Sequence, residues 1–472
     1  MKKNLSLKKI KKIHFTGIKG VGMAALAYIA QDIGIKISGS DLEETFITDY
    51  FLKKRGLLWQ TGFSPQDIDH PDLLITTGSH GGLKNPQVIA AKKKNIPVMT
   101  HGEALGFFMK EKVGISVCGV GGKTTTSAII ATILDYSGEK PSYAIGAAEI
   151  FPLGAPGKYN QGKYFIAEAD EYATSPGVDN RPRFYWQNPQ FIINTNIKYD
   201  HPDIYPNIEQ TKKTFLNFFE KIPPSGQVII NGDNRHAKEI IKEMKKPYTT
   251  FGFNPGNDWQ IVKVQEKKER IEFSLLRQEK FFYSFSLFVP GRFNIMNATA
   301  AIILCQKLGL KKEAIKKGLA SFRGTKRRFE FIGQAPRGFL VYDDYAHHPY
   351  EIKKTLEAAR SWFGKNKNLI VIFQSHTYSR TKKLLSSFAQ SFSRAHTVII
   401  PPIYGAREKE SSNSTSLELA QAIKKYHPRV IFVDKKEKAV KMIKKIAQKG
   451  DVVFTMGAGD IWKISPLLLK IK

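Results

Sequence analysis

The chain has 472 residues, of which 42% are hydrophobic, and it carries a formal net charge of +31. This length predicts two to four domains, and the apolar content is sufficient for packed cores. The two cysteines, Cys118 and Cys305, lie in apolar stretches without metal-ligand spacing, which argues against disulfides and for a reducing compartment such as the cytoplasm. No stretch approaches the roughly 18 consecutive apolar residues of a membrane span, and no signal-like apolar run follows the basic start.

The excess of basic residues does not by itself indicate a nucleic-acid-binding protein. The lysines are spread over stretches with a helical pattern, such as KKEAIKKG and KAVKMIKKIAQK, and are not interleaved with aromatic residues in one block. We therefore interpret the charge as a property of the solvated surface that also favours anionic substrates. Binding to nucleic acid is not expected.

Residues 1–108 alternate short apolar strands with helical patterns, which predicts a Rossmann-like domain with a parallel sheet. The first strand leads into the glycine loop GIKGVGM, and Asp41 follows Gly22 by 19 positions. A dinucleotide-binding loop has the spacing G-x-G-x-x-G, whereas this loop has G-x-x-G-x-G with Lys19 at the second glycine position. The spacing argues against an NAD-dependent dehydrogenase and leaves two alternatives, a nucleotide site at a helix N-terminus and a plain strand-to-helix turn.

The second segment, residues 109–324, opens with a strand that runs into the loop VCGVGGKTTTSAIIATIL. A buried strand, a glycine turn and a helix start aim backbone N–H groups at one position, which suits a phosphate. Lys123 would reach the β- and γ-phosphates of a nucleotide, and the Thr124 hydroxyl would bind Mg²⁺. The full P-loop pattern has a further glycine where this chain has Val117, so a tight turn with an exposed lysine remains the alternative.

Two later strands of this segment end in polar residues. The stretch YFIAEADEY places Glu168, Asp170 and Glu171 at the carboxyl end of an apolar strand, and FIINTNIKYDH ends with His201. Ligands bind at the carboxyl edge of a parallel sheet and hard cations prefer oxygen ligands, so an acid of the first group is predicted to hold Mg²⁺ together with Thr124. A solvated acidic turn and a structural histidine are the alternatives.

After Asn254 the character of the chain changes. Residues 258–291 alternate polar and apolar side chains with no helix between them, which predicts an antiparallel meander. Two helices follow, and Asn294 at the start of the first is either a cap or a ligand contact. From residue 325 onwards the βα rhythm returns and predicts a third α/β domain.

The strand in FLVYDDYAHHP is followed by the pair His347 and His348. A histidine pair suggests a metal site, but no third ligand stands at a suitable spacing. Hydrogen bonding is therefore the preferred interpretation of this pair.

Taken in order, the motifs resemble those of the Mur ligases, the ATP-dependent enzymes that form amide bonds in peptidoglycan precursor synthesis. The resemblance runs through HFTGIKGVGMAALA, the Gly-Lys-Thr loop, EADE, TNI and DH, PG and NA, RRFE, DDYAHHP, FQSHTYSRT and MGAGDI. It implies a UDP-sugar-binding domain (1–108), a central ATP-binding domain (109–324) and a C-terminal amino-acid-binding domain (325–472). The expected fold class is α/β, with Rossmann-like first and third domains flanking a P-loop-type ATPase that carries an antiparallel addition.

The resemblance also implies a two-step reaction. The carboxylate of UDP-N-acetylmuramate attacks the γ-phosphate of ATP to give an acyl phosphate, and the amine of an amino acid then displaces phosphate. ATP and Mg²⁺ are the implied cofactors, and a monomer or homodimer is expected. The implied catalytic residues are Lys123, His201 and Arg328, and the implied metal ligands are Thr124, Glu168 and His201.

The remaining site residues follow from the same resemblance. The implied ATP contacts are Gly119, Gly121, Gly122, Lys123, Thr124, Thr125, Asn294 and Arg328. The implied UDP-sugar contacts are Gly17, Gly20, Gly22, Met23 and Asp41. The implied amino-acid contacts are Tyr345, His348, His376 and Arg380. Of these, Arg380 is the expected partner of the amino-acid carboxylate.

Two branches of the family share features with this chain. The N-terminal loop, DDYAHHP and HTYSRT are similar to the branch whose amine donor is L-alanine. The stretch from Glu168 to His201 is longer than is usual there, with SPGVDNRPRFYWQNPQ inserted, and is similar to the branch that attaches a recycled L-alanyl-γ-D-glutamyl-diamino-acid tripeptide. Because the C-terminal domain binds the amine donor, L-alanine is the expected donor and the tripeptide is the alternative.

The chain departs from the family pattern in both glycine loops. Val120 and Gly121 stand where the family usually has Thr and His, and Lys19 stands where Gly is usual. These changes leave open a further alternative, a non-catalytic UDP-sugar-binding protein on a degenerate ligase fold. The retained Lys123, Thr124, Glu168 and His201 argue for catalysis.

Overall fold

The protein is represented by a computed structural model that describes residues 5–201, 203–267, 269–406, 408 and 415–471. Within the described residues it forms two compact units. The first unit comprises Met1–Val264, Glu272–Leu287 and Asn294–Arg323, and the second comprises Gln265–Ile271, Phe288–Phe293 and Gly324–Lys472. The outer ends of the predicted first and third domains, residues 1–4 and 472, lie outside the described residues.

The first unit begins with a five-stranded parallel sheet. Its strands are β1 (Lys12–Thr16), β2 (Lys36–Asp41), β3 (Gln60–Thr61), β4 (Leu73–Thr76) and β5 (Val98–Thr100). Its helices are α1 (Val21–Asp32), α2 (Asp49–Lys54), α3 (Pro86–Lys93) and α4 (His101–Met109). The strand order is β3-β2-β1-β4-β5, and all four pairings are parallel, which confirms the Rossmann-like prediction.

The second sheet has ten strands. They are β6 (Val113–Cys118), β7 (Ser142–Ala144), β9 (Gly157–Lys158), β10 (Tyr164–Ala169), β13 (Phe191–Asn194), β14 (Gln227–Asn231), β15 (Tyr248–Gly252), β16 (Trp259–Lys267), β17 (Arg270–Arg277) and β18 (Lys280–Leu287). The order is β18-β17-β16-β15-β14-β13-β6-β10-β7-β9. Strand β8 (Ile150–Phe151) and the antiparallel pair β11 (Ala173–Ser175) and β12 (Asp179–Pro182) lie outside this sheet.

Helices alternate with the parallel strands of the second sheet and then give way to a meander. The helices are α5 (Lys123–Tyr136), α6 (Ile208–Phe219), α7 (Arg235–Glu243), α8 (Arg292–Lys307) and α9 (Lys312–Ser321). Strands β16, β17 and β18 follow one another at the edge of the sheet. Only two residues connect β17 to β18, a length that allows only antiparallel pairing. The predicted antiparallel addition is therefore present.

The first two sheets share one apolar core. Small side chains let α1 bury nearly its whole length, and Ala144, Phe165 and Ala167 of the second sheet belong to the same cluster. A Cβ atom at Gly157 would overlap the Ala25 carbonyl, so α1 packs directly on β9. The predicted boundary between residues 108 and 109 falls in the last turn of α4, and it stays a prediction.

The second unit contains a six-stranded sheet with the order β20-β21-β25-β22-β23-β24. Its strands are β20 (Glu330–Gln334), β21 (Leu340–Asp344), β22 (Leu369–Phe373), β23 (Thr397–Ile400), β24 (Val430–Phe432) and β25 (Val452–Met456), preceded by β19 (Gly324–Thr325). Its helices are α10 (Pro349–Phe363), α11 (Tyr378–Lys383), α12 (Leu385–Ala389), α13 (Ser416–Lys424), α14 (Lys436–Ile446) and α15 (Ser465–Leu468). All pairings are parallel except β20 with β21, as expected for a third α/β domain.

None of the helices in the described part of the chain combines the length and hydrophobicity that spanning a bilayer requires.

Candidate active site

The phosphate loop connects β6 to α5 and requires glycine at two positions. Gly119 and Gly122 have φ angles of 125° and 91°, in the left-handed region that favours glycine. A Cβ atom at Gly119 would overlap the Thr195 hydroxyl, and one at Gly122 would lie 2.5 Å from the Asn297 side-chain oxygen. The resulting turn aims the first N–H groups of α5 at one position, as phosphate binding needs.

Residues that follow β13 hold the middle of this loop. The Asn196 amide donates to the Gly121 carbonyl at 2.7 Å and accepts the Gly121 N–H at 3.2 Å. The Thr195 hydroxyl donates to the same carbonyl at 2.6 Å. At Gly121 itself the nearest atom to an added Cβ would be 3.9 Å away, so the missing family histidine is not explained by lack of space.

Lys123, the first residue of α5, faces carboxylates. Its Nζ lies 2.9 Å from a Glu171 oxygen. Burial by itself would lower the pKa of Lys123, but the charges of Glu171 and Asp170 raise it above its usual value. The ammonium is therefore charged at neutral pH, as a residue that stabilises a transferring phosphoryl group must be.

Thr124 and Glu168, two of the three predicted metal ligands, lie side by side. The Thr124 hydroxyl donates to Glu168 Oε2 at 3.2 Å, and Glu168 Oε1 accepts the Gly146 N–H at 2.6 Å. Thr125 is half-buried in the same first turn of α5. The acid at the end of β10 therefore meets the helix start that follows β6, as the sheet topology predicts.

His201, the third predicted metal ligand, lies with two other acids. Ligand atoms of Asp170, Glu171 and His201 fall within 4.8 Å of one another. Glu171 Oε1 is buried and has no hydrogen-bond partner within the described residues. The structure thus places next to His201 the acids Asp170 and Glu171, which EADE already offered together with Glu168 as candidate Mg²⁺ ligands.

Asn294, predicted to contact ATP, lies beside the phosphate loop. Its Oδ1 accepts a hydrogen bond from Asn297 Nδ2 at 3.0 Å, and Asn297 is the residue that abuts Gly122. Both asparagines are buried within α8. The N-cap alternative for Asn294 is therefore wrong, because α8 already begins at Arg292.

The first glycine loop connects β1 to α1. Gly17 has a φ angle of 84°, Gly20 is the N-cap of α1, and Gly22 lies in its first turn. The neighbouring Met23 side chain is only 2% exposed and belongs to the core. A ligand contact at Met23 would therefore involve its backbone, and the side chain has a packing role.

Asp41, at the end of β2, forms hydrogen bonds with the backbone of this loop and of the residue after β2. Its buried carboxylate accepts the Lys19 N–H at 2.7 Å and the Leu42 N–H at 2.8 Å. Burial raises the pKa of Asp41, although these backbone hydrogen bonds lower it. The carboxylate thus holds the loop in place, and its predicted contact with a UDP-sugar stays a prediction.

Lys19, the residue that departs from the family pattern, is buried. Its Nζ donates to the carbonyls of Leu42 and Glu44 at 2.8 and 2.5 Å, and it lies 3.5 Å from the Asp49 carboxylate. The ring of Trp59 lies 5.1 Å from the same ammonium. Lys19 therefore ties the glycine loop to the segment after β2.

Arg327 and Arg328 have different environments in the second unit. Arg327 is buried, and its Nε donates to Asp343 at 2.8 Å, which indicates a structural ion pair. The guanidinium of Arg328 lies 5.0 Å from the ring centroid of Tyr345. The guanidinium of Arg327 lies 5.1 Å from the same ring, so both arginines contact this predicted amino-acid residue, and Arg327 differs by its buried ion pair.

His347 and His348 have different environments. His348 is the N-cap of α10, where its Nδ1 accepts the Tyr350 N–H at 3.2 Å and Glu351 completes a capping box. The His347 ring instead lies 6.4 Å from the His376 ring. Burial lowers the pKa of His347, Glu351 raises it and Arg380 lowers it further. His347 is thus the member of the pair that faces predicted site residues, and the predicted ligand role of His348 stays a prediction.

The remaining amino-acid residues lie at the carboxyl end of β22. The His376 ring stacks on Tyr404 with centroids 5.7 Å apart, and Thr377 caps α11, which carries Arg380. The charge of Arg380 also lowers the pKa of His347. The rings of Tyr345, His347 and His376 therefore lie together at one edge of the third sheet, and Arg380 follows on α11.

Three family models match successive parts of the chain: "Mur ligase family, catalytic domain" over residues 12–113, "Mur ligase middle domain" over 117–305 and "Mur ligase, glutamate ligase domain" over 327–459. The chain belongs to the Mur ligase family. As a Mur ligase it is an ATP-dependent enzyme with the three-domain α/β fold of that family.

Individual Mur ligases resemble the chain along its whole length. UDP-N-acetylmuramate–L-alanine ligases of Caldanaerobacter subterraneus and Acetivibrio thermocellus are 36% and 38% identical to it, over 99% and 98% of this chain and 99% and 97% of theirs. The crystal structure of the UDP-N-acetylmuramate–alanine ligase of Thermotoga maritima matches with a TM-score of 0.81 at 25% identity, covering 97% of this chain and 98% of that one. A murein peptide ligase of Psychrobacter arcticus shares the fold with a TM-score of 0.73 at 22% identity, over 97% and 98% of the two chains.

Proposed function

We propose that the chain is an ATP-dependent ligase that joins L-alanine to the carboxylate of UDP-N-acetylmuramate in the synthesis of peptidoglycan precursors. The reaction takes place in the cytoplasm, and the enzyme acts as a monomer or homodimer without nucleic acid and without membrane insertion. The observation that carries the proposal is a phosphate loop with facing acids in a chain similar over its whole length to L-alanine ligases.

The residues of the phosphate loop suit phosphoryl transfer. The substrate carboxylate attacks the γ-phosphate of ATP, ADP leaves, and the amine of L-alanine then attacks the acyl carbon and displaces phosphate. Lys123 stabilises the charge that develops on the transferring group, because phosphoryl transfer depends on positioning and charge stabilisation. Asn294 contacts the adenine, and His201 and Arg328 complete the catalytic set.

The donor atoms near the loop fit Mg²⁺. The Thr124 hydroxyl and the carboxylate of Glu168 are hard oxygen donors 3.2 Å apart, and His201 lies close to two further acids. When bound by these residues, Mg²⁺ neutralises phosphate charge. Without it, the buried carboxylates repel one another and a nucleotide.

The C-terminal residues suit a small amino acid. Arg380 offers a guanidinium for the carboxylate of L-alanine, and Tyr345 and His376 bound the site around it. We expect Arg380→Ala to raise the KM for L-alanine by at least about tenfold while leaving the KM for ATP within about twofold, since a charged hydrogen bond contributes roughly 1.5–3 kcal/mol. Lys383→Ala, at an exposed cation of the same helix, is the matched control.

A second candidate donor is the L-alanyl-γ-D-glutamyl-diamino-acid tripeptide. The inserted stretch between Glu168 and His201 favours it, since it forms the β11–β12 pair and a short helix instead of a plain turn. The shared fold with a murein peptide ligase is compatible with this candidate but does not select it.

The two donors are separated by supplying each of them alone. With ATP, Mg²⁺ and UDP-N-acetylmuramate present, we expect phosphate release with L-alanine. Glycine and L-serine should be poorer substrates, because one methyl group or hydroxyl is worth about 1–3 kcal/mol in a fitted pocket. Turnover with the tripeptide and none with L-alanine would assign the chain to the second candidate, and no turnover with either would support a non-catalytic protein.

A further inference from the structure

The inserted segment packs against the domain that carries the first glycine loop. A Cβ atom at Gly102 of α4 would lie 2.9 Å from the Arg183 carbonyl, and one at Gly106 would overlap the Trp186 carbonyl. Two glycines, one helical turn apart, therefore let the backbone of residues 183–186 lie directly on α4. This part of the insertion is thus packed on the first unit, whereas the turn between β11 and β12 is exposed.

Arg183 lies at the inner end of this contact. Its Nη1 donates to the Asp170 carboxylate at 2.7 Å, and its guanidinium lies 5.6 Å from the ring centroid of Tyr172. On the other side, a Cβ at Gly78, in the loop after β4, would be 3.4 Å from Arg183 Nη2. Arg183 therefore stands between the carboxyl edge of the first sheet and the acids at the end of β10.

Within the part of the chain that the structure describes, one edge of the Arg183 guanidinium has no hydrogen-bond partner. Its Nε is buried and forms no hydrogen bond within the described residues, and none is formed by Nη2 there either. Asp170 engages only Nη1. The Nε and Nη2 hydrogens point in parallel, and this edge matches the two oxygens of a carboxylate. Leaving a buried charged donor unpaired is costly, so an oxyanion is the expected occupant.

His101 extends the polar surface towards the first glycine loop. A Cβ at Gly22 would lie 2.7 Å from His101 Nε2, and His101 Nδ1 is a second buried atom without a partner in the described part of the chain. Burial and the nearby Arg183 charge lower the pKa of His101 to about 4. His101 is therefore neutral at pH 7 and leaves Arg183 as the cation between Gly22 and Asp170.

Arg183 lies between residues of the two glycine loops. Gly22 belongs to the loop assigned to the UDP-sugar, and Asp170 lies beside Glu171, which pairs with Lys123 of the phosphate loop at 2.9 Å. In the proposed reaction, the carboxylate of a UDP-sugar held at the first glycine loop has to reach the γ-phosphate of ATP held at the phosphate loop. Holding a nucleophile in a defined geometry supplies a large part of the rate of such a reaction.

We propose that the Nε–Nη2 edge of Arg183 binds the reacting carboxylate of UDP-N-acetylmuramate, with Asp170 fixing the orientation of the guanidinium. This inference rests on the proposed function, from which it takes its substrate. It assigns to the inserted segment a role in binding the acceptor carboxylate, and it does not depend on which amine donor is used.

The test compares two nucleotides by calorimetry. UDP-N-acetylglucosamine has the same uridine diphosphate as UDP-N-acetylmuramate but no carboxylate. We expect Arg183→Gln to weaken binding of UDP-N-acetylmuramate by about 10- to 100-fold, the value of a charged hydrogen-bond pair, and to change binding of UDP-N-acetylglucosamine by less than about twofold. Arg181→Gln, at an exposed arginine two positions away that pairs with Asp179, should change neither.

Each other outcome contradicts a stated claim. Equal losses for both nucleotides would overturn the inference and point to a diphosphate contact, and no loss for either would reduce Arg183 to an ion pair with Asp170. Should Arg183→Gln fail to fold, Arg183→Lys keeps a charge but not the paired edge and should show the same selective loss in smaller degree. Absence of UDP-N-acetylmuramate binding by the unaltered protein would overturn the proposed function itself.

Discussion

The two glycine loops of the first unit have the same local plan but hold their lysines in different ways. Each loop connects a buried parallel strand to a helix. The ammonium of Lys19 donates to two backbone carbonyls and lies 3.5 Å from the Asp49 carboxylate, and its side chain is 1% exposed. The ammonium of Lys123 is bound by the Glu171 carboxylate and its side chain is 16% exposed.

This difference shows what a lysine in a glycine loop can do. Carbonyls of the chain itself are fixed partners, so Lys19 stabilises the fold and is not free for a ligand. A carboxylate can be replaced by phosphate oxygens, so Lys123 can exchange one anion for another. The partners of the lysine, and not the strand–turn–helix pattern alone, separate a lysine that holds its own loop in place from one that can bind phosphate.

The largest expected effect is that of Lys123→Ala. Turnover should fall by at least about 10²–10³, because a group that stabilises charge in the transition state is lost. Phosphate release at saturating substrate concentrations measures this, and Lys110→Ala, at an exposed lysine of the same unit, is the control. Retention of more than about a tenth of the activity would remove Lys123 from the catalytic set.

Alanine at single glycines of the phosphate loop should have unequal effects. Gly122→Ala combines a left-handed φ with a contact to Asn297, so it should destabilise the protein by more than about 1 kcal/mol and weaken ATP binding. Gly121→Ala should be nearly neutral because an added Cβ has space there. Urea unfolding and ATP titration measure both variants. Equal effects would show that the loop is not shaped as described.

The variant Lys19→Met tests the role of Lys19 in holding the first glycine loop in place. Removing hydrogen bonds from a buried ammonium should lower the free energy of unfolding by about 1.5–3 kcal/mol. The KM for UDP-N-acetylmuramate should rise, because the glycine loop loses its tie to the segment after β2, while the KM for ATP should not change. Lys36→Met, at an exposed lysine of β2, is the matched control. An unchanged stability would contradict the fixed role of Lys19.

The smallest effect is expected for nucleic acid. If the net charge of +31 is a property of the solvated surface, binding to duplex DNA should be weak, independent of sequence and lost as salt rises. Titration of labelled duplexes at two salt concentrations measures this. Tight binding to one sequence near physiological salt would contradict an enzyme-only function.

Local patterns predicted much of the fold and part of the site. Strand, glycine turn and helix start identified the phosphate loop, and alternating polarity identified the meander. The contacts of Glu171 with Lys123 and of Arg183 with Asp170 join residues that are 48 and 13 positions apart, and no local pattern specifies such pairs. His348 could have been recognised as a cap, because Glu351 stands three residues after it, as in a capping box.

The most direct test of the account is a pair of calorimetric titrations with each lysine variant. Lys123→Ala should lose affinity for ATP and keep its affinity for UDP-N-acetylmuramate, because the two ligands are assigned to different loops. Lys19→Met should lose affinity for UDP-N-acetylmuramate and keep its affinity for ATP. Loss of UDP-N-acetylmuramate affinity in Lys123→Ala would contradict the assignment of the two loops to two ligands. Loss of ATP affinity in both variants would contradict it as well.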